Sequence, residues 1–263
     1  LLEEEERQMA NEVPDEFKHI ETIEFENVWF SYNNNDIYAL EDFTLNIKAG
    51  EFIGIVGPSG SGKSTLLALL MGVYKPTRGA IYINGINITK YDNSVLRHLM
   101  GYVFQQAYLF KGSIRDNLTL FDTSISNEEM INAAKQVNLD SMIEQLPEGY
   151  ETPVGYLGSL LSDGQKQLLA FGRTLIKKTP ILLLDEATAN IDSHTEKQIQ
   201  ASIENIRGSK TIVSIAHRLS TVEDANKIVY MEYGKIIEKG SFNELINLKG
   251  AFYNLWNNQH SGS

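Results

Sequence analysis

Gly57-Pro58-Ser59-Gly60-Ser61-Gly62-Lys63-Ser64-Thr65 stands between the apolar run Phe52 to Val56 and the helix-like run Leu66 to Gly72. A strand, a glycine-rich loop ending in Lys-Ser, and a helix form, in that order, an arrangement that holds nucleotide phosphates. The glycines let the backbone curl until its amides face an anion, and the helix start adds the positive end of its dipole. Lys63 reaches the outer phosphates, and Ser64 is placed to ligate Mg²⁺. The stretch therefore predicts a Mg-nucleotide site.

Outward from the loop, the pattern is that of an α/β chain. Ile23 to Phe30 and Phe43 to Ile47 alternate apolar and polar residues, and Gly50 with Glu51 turns the chain into Phe52 to Val56. These read as strands. Ala80 to Ile83, the turn Asn84-Gly85 and the strand Gly101 to Phe104 complete a first lobe. Residues 106 to about 178 change character, with helices expected at Asn127 to Val137, Leu139 to Gln145 and Asp163 to Lys177, and they read as a helical subdomain. Ile181 to Leu184 is apolar throughout, as in a strand buried on both faces, and Thr211 to Ala216 and Ile228 to Glu232 follow with helical stretches between. Strands alternating with helices predict a parallel, doubly wound sheet. Residues 1–21, polar and interrupted by Pro14, read as a linker, 22–258 as the folded domain and 259–263 as a tail.

Composition narrows the function. With 42% hydrophobic residues in 263, the chain can bury one large core or two modest ones. Residues 1–26 carry ten acids and two bases, which is −8 of the net −11, so the remainder is nearly balanced. No basic stripe points to nucleic acid. The absence of cysteine removes disulfides and thiolate metal sites and fits a reducing cytosol. Asn87-Ile88-Thr89 and Asn117-Leu118-Thr119 match the glycosylation pattern but read as ordinary loop residues. No apolar stretch approaches bilayer-spanning length, so any membrane role falls to another segment or chain.

The run Ile181-Leu182-Leu183-Leu184-Asp185-Glu186 ends a buried strand in two carboxylates, where open α/β sheets place their ligands. In nucleotide hydrolysis the first acid, Asp185, would hold Mg²⁺ and the second, Glu186, would polarise the attacking water and take its proton.

With these motifs in place, the chain resembles the nucleotide-binding domain of an ATP-binding cassette (ABC) transporter of the exporter type, over residues 22–258. Leu161-Ser162-Asp163-Gly164-Gln165 is similar to the family's Leu-Ser-Gly-Gly-Gln signature, and Gln105 in Val103-Phe104-Gln105-Gln106 to its glutamine loop. Ala189 to Asp192 is similar to the segment after the catalytic acid, and Ala216 to Thr221 to the histidine switch. The resemblance implies a P-loop NTPase fold: a RecA-like parallel-sheet core, an antiparallel β subdomain and an α-helical subdomain. It implies ATP as ligand, held by Gly57, Pro58, Ser59, Gly60, Ser61, Gly62, Lys63, Ser64 and Thr65. Tyr32 would stack on adenine, with Tyr38 as the competing aromatic. Gln105 would bridge the metal or its water, and His217 would meet the γ-phosphate near Glu186. Catalysis would thus rest on Glu186, His217, Gln105 and Lys63, and metal binding on Ser64, Gln105 and Asp185.

The same resemblance implies head-to-tail pairing with a second nucleotide-binding domain, in which Ser162, Gly164 and Gln165 complete the opposite site. It also implies transmembrane helices preceding Leu1 and a place on the cytoplasmic face of the cell membrane. Four positions depart from the family pattern. Asp163 replaces a signature glycine and puts a carboxylate before a γ-phosphate, which favours a heterodimer over a homodimer. Tyr156-Leu157 replaces a charged pair in a segment where exporters usually carry Gly-Glu-Arg-Gly. Gly172 replaces a usual alanine. Two other readings stand beside the exporter: a non-transport ABC ATPase, and a module that dimerises on ATP with little turnover.

Overall fold

A computed structural model describes residues 19–33, 37–185 and 192–260. The linker up to residue 18, Glu186, residues 189–191 and residues 261–263 lie outside the described residues. The chain forms β1 (Thr22–Phe30), β2 (Leu40–Lys48), β3 (Phe52–Val56), α1 (Lys63–Leu70), β4 (Arg78–Ile83), β5 (Ile86–Asn87), α2 (Asn93–Leu99) and β6 (Met100–Val103). There follow α3 (Ile114–Thr119), α4 (Asn127–Gln136), α5 (Asp140–Ile143), α6 (Asp163–Ile176), β7 (Ile181–Asp185) and α7 (Ser193–Ile206). The last elements are β8 (Thr211–Ile215), β9 (Lys227–Glu232), β10 (Lys235–Gly240), α8 (Phe242–Leu248) and α9 (Ala251–His260).

Contacts divide the chain into two compact units. The first takes the chain up to Met100, Pro180–Leu183 and everything from Gly208; the second takes Gly101–Thr179 and Leu184–Arg207. The strand Gly101 to Phe104, read from sequence with the first lobe, therefore groups with the second unit.

The first unit holds an antiparallel sheet in the order β2-β1-β4-β5 and a second sheet in the order β10-β9-β3-β8-β7. β3 runs parallel to both its neighbours, Ile55 pairing with Ile215 of β8 and with Val229 of β9. Every residue of β3 and β8 is buried, which is why β3 reads as an unbroken apolar run and β8 departs from one only at Thr211 and Ser214. Each fully buried isoleucine there contributes roughly 1.5–3 kcal/mol. β1 and β2 pair antiparallel and alternate buried with more exposed residues, so the period of two in their sequence survives in the fold.

The two-residue β5 and the longer β10 escaped the sequence reading. β9 turns at Tyr233-Gly234, both at positive φ (47° and 77°), into β10. The Asn84-Gly85 turn has the same backbone hand (53° and 72°) and was legible, because Asn-Gly is a hairpin signal and Tyr-Gly is not.

The second unit is mostly helical. Ser113, Ser126, Ser162 and, in the first unit, Ser241 each open a helix with a capping box. Asn117 corrects its expected place in a loop: it lies within α3, fully buried, and its amide donates to Phe110 O and Ser113 O. Arg173 of α6 then donates to Asn117 O, Asn117 Oδ1 and Tyr108 O, while burial pulls its pKa down. Gly172 also finds its reason here. A Cβ at that position would stand 3.0 Å from Leu118 Cδ2 and 3.4 Å from Val137 Cγ2, so the glycine admits close packing of α6 on α3. On the surface of this unit, Lys178 and Ser126 hold Glu129 at a pKa of about 2.

Candidate nucleotide site

In the first unit the register of β3 and β8 brings two motifs to the same end of the sheet. Ile55 pairs with Ile215, and Ala216 N donates to Ile55 O at 3.1 Å. The loop from Gly57 and the segment from His217 therefore leave the sheet side by side, at the carboxyl ends of parallel strands.

Gly62 precedes α1 with φ at 100°, in the left-handed region, and a Cβ there would fall 2.4 Å from Ala39 O. Only glycine fits. α1 has no side-chain cap and no acidic residue in its first turn, unlike the capped helices above. Its amides and dipole are thus presented to an anion rather than spent on a side chain. Lys63 is 5% exposed, and its amine donates to Gly57 O at 2.9 Å and Pro58 O at 2.8 Å. The loop has curled around its own cation, and phosphate oxygens are natural replacement partners for that charge. Ser64, on the same first turn, is exposed.

Tyr32 is tied to this loop. Its hydroxyl is 2.8 Å from Thr65 Oγ1, and its ring meets Phe30 and Tyr74 edge-on at 4.9 and 5.3 Å. Tyr38 packs edge-on against Trp29 instead, at 5.0 Å. Tyr32 keeps 56% of its surface open, enough to offer a π face to a base.

In the second unit Asp185 ends β7, and the phenol of Tyr102 on β6 donates to its Oδ2 at 2.7 Å. That bond orients one carboxylate oxygen. Gln105 is exposed just beyond β6, and the buried Gln167 of α6 donates to the preceding Phe104 O at 2.7 Å. Neither Tyr102 nor Gln167 was found from sequence, since no local motif points to a strand-to-strand or helix-to-loop partner.

Ser162 caps α6: its Oγ accepts from Gln165 N at 3.2 Å, and Gln165 Oε1 accepts from Ser162 N at 2.9 Å. The Gln165 side chain is committed to the helix start. Asp163 is 76% exposed and accepts from Lys166 Nζ at 2.9 Å, so an ammonium partly offsets the carboxylate expected to repel phosphate. In so open a place the pair adds little to stability. A Cβ on Gly164 would lie 2.5 Å from Thr195 Oγ1, and Thr195 is pinned by Asp192 through bonds of 3.0 and 2.7 Å. Gly164→Ala is therefore expected to destabilise the second unit by about 1–3 kcal/mol through overpacking. Urea unfolding followed by circular dichroism checks this, and an unchanged midpoint would mean that α6 and α7 do not meet this closely.

Among the described residues no cluster of three or more His, Asp or Glu side chains could cage a metal. The exposed Ser64 hydroxyl and the Asp185 carboxylate, one in each unit, are oxygen donors of the kind Mg²⁺ takes together with phosphate and water.

The sequence profile described as "ABC transporter" matches residues 40–189, more than half of the chain. The chain belongs to the ABC transporter family. As an ABC transporter ATP-binding domain it is an ATPase of mixed α/β fold, with a parallel-sheet core and an antiparallel sheet. It is 42% identical to the β-(1→2)-glucan export ATP-binding/permease protein NdvA of Bartonella bacilliformis, over 89% of this chain and 39% of that protein. It is 39% identical to the ATP-dependent lipid A-core flippase of Haemophilus influenzae, over 91% of this chain and 41% of the flippase. The structure of a bacterial Atm1-family ABC exporter with ATP bound superposes with a TM-score of 0.86 at 38% identity, covering 92% of this chain and 42% of that one. The chain thus spans about two fifths of the length of the relatives it matches. Among its described residues no helix is long and apolar enough to cross a membrane.

Proposed function

We propose that this ABC domain hydrolyses Mg-ATP to drive export of a substrate across a membrane, working from the cytoplasmic face beside a transmembrane domain. The observation that carries the nucleotide reading is the loop curled around the buried Lys63 amine, before a helix that no side chain caps. Relatives named for export, matching about nine tenths of the chain, support the coupling to transport.

In this reading Tyr32 stacks on adenine, and the loop from Gly57 to Thr65 wraps the phosphates. Ser64, Asp185 and Gln105 would hold Mg²⁺, which when bound neutralises the β and γ oxygens. Glu186 takes the proton of the attacking water as the new O–P bond forms and the bond to the β-phosphate bridge oxygen breaks, releasing ADP and phosphate. Gln105 and His217 orient that water. Ser162, Gly164 and the start of α6, fixed by Gln165, meet the γ-phosphate held on an opposing domain.

The partner is a second ABC nucleotide-binding domain. Asp163 supports a heterodimer, in which the site completed by this chain's signature is the weaker one. The Lys166–Asp163 pair supports the alternative, a homodimer that tolerates the acid. Light scattering on the Glu186→Gln protein with Mg-ATP decides between them. The heterodimer predicts association only after mixing with a second, different ABC subunit; association of this chain alone would establish the homodimer.

A further inference from the structure

The C-terminal helix α9 is held at its start and reaches the histidine segment at its end. Glu238 of β10 accepts from the amides of Ala251 at 2.6 Å and Phe252 at 3.0 Å, placing a carboxylate where unpaired amides and the helix dipole favour one. Phe252 is fully buried, and Phe242 of α8 meets Phe252 and Trp256 edge-on at 6.0 and 4.8 Å. Phe252, Trp256 and Gln259 fall at i, i+4 and i+7, so the anchored face of the helix carries Gln259 at its far end.

Gln259 Oε1 accepts from Leu219 N at 3.1 Å, and Gln259 Nε2 donates to His217 O at 2.6 Å. The two bonds grip the main chain on both sides of Arg218. They also require one side chain that accepts and donates at once, which an amide does and a carboxylate does not. Ala216 is fixed to β3 on one side of His217, and Gln259 fixes the chain on the other.

We propose that Gln259 is a positioning residue for ATP hydrolysis: α9 sets the stance of His217 through its main chain, making the C-terminal helix part of the catalytic apparatus. The proposal rests on the reading of His217 as the residue that meets the γ-phosphate. A segment gripped by two hydrogen bonds loses its alignment, not its ligand, when they are cut.

The test is steady-state and single-turnover ATP hydrolysis by the full protein carrying Gln259→Ala, Gln259→Glu, His217→Ala, or the His217→Ala/Gln259→Ala pair. Gln259→Ala is expected to lower kcat about fivefold to tenfold with KM within about twofold of wild type. Gln259→Glu is expected to be slower still at pH 8, because its carboxylate faces His217 O without a proton to donate. The double variant should be no slower than His217→Ala alone, since the glutamine acts through the histidine. Wild-type kcat in Gln259→Ala, or losses that multiply in the double variant, would overturn the positioning role while leaving His217 in place. Normal turnover in His217→Ala would instead remove the role of the histidine, and the proposal with it.

Discussion

Lys63→Ala is expected to lower ATP affinity at least a hundredfold, about 2.7 kcal/mol. The lysine is buried in the loop, and its charge is served by Gly57 O and Pro58 O, oxygens that carry only partial charge. Exchanging them for phosphate oxygens converts two dipolar contacts into a charge pair, worth about 4 kcal/mol at 4 Å and an effective dielectric of 20 before desolvation is subtracted. Truncation loses that pair and also removes the lysine donor that ties Gly57 O to Pro58 O, which loosens the curl itself. Calorimetry with ATP and with inorganic tripolyphosphate separates the contributions. Both ligands should lose affinity to a similar degree, because Lys63 lies at the phosphate loop and the proposed base contact falls to Tyr32. Lys63→Arg should not restore binding, since a planar guanidinium cannot take the place of a compact ammonium between two carbonyls 2.8 and 2.9 Å away. A change of less than threefold in Lys63→Ala would mean that the loop amides alone hold the phosphates.

Glu186→Gln is expected to leave nucleotide affinity within a few-fold of wild type and to cut turnover at least a hundredfold, about 2.7 kcal/mol. The substitution keeps size and hydrogen bonding but removes the carboxylate proposed to accept the proton of water. Asp185 is a poor substitute, because Tyr102 already donates to one of its oxygens and its place at the end of β7 suits a metal ligand. Phosphate release at saturating Mg-ATP gives the rate, and a stoichiometric burst would show whether one turnover still occurs. Turnover within a factor of three of wild type would displace Glu186 as the catalytic carboxylate. Asp185→Asn should behave differently, raising the Mg²⁺ concentration needed for half-maximal rate.

How much of this was legible in advance follows from the reach of each interaction. The phosphate loop is nine consecutive residues between a strand and a helix, and each part is specified locally: apolar β3, glycines at the curl, the lysine at the helix start. The Asn84-Gly85 turn was readable for the same reason, since turn chemistry acts over two to four residues. Gly172, Asn117 and the Lys166–Asp163 pair took their meaning from packing: a neighbouring helix, a buried arginine and the direction of a side chain on the helix surface.

The sequence by itself determined the α/β class, the phosphate loop, the acidic strand end and the family resemblance, because each is written in runs of neighbouring residues whose periodicity or spacing is itself the signal. Only the tertiary structure decided that Tyr32 rather than Tyr38 is bonded to the loop through Thr65, that Tyr102 orients Asp185, and that Gln259 holds the chain around His217. Those partners are separated by 33, 83 and about 40 residues, and no local preference of either residue specifies the other. Burial of the sheets brings them together, and the hydrogen bonds then select among the groups that packing has made neighbours.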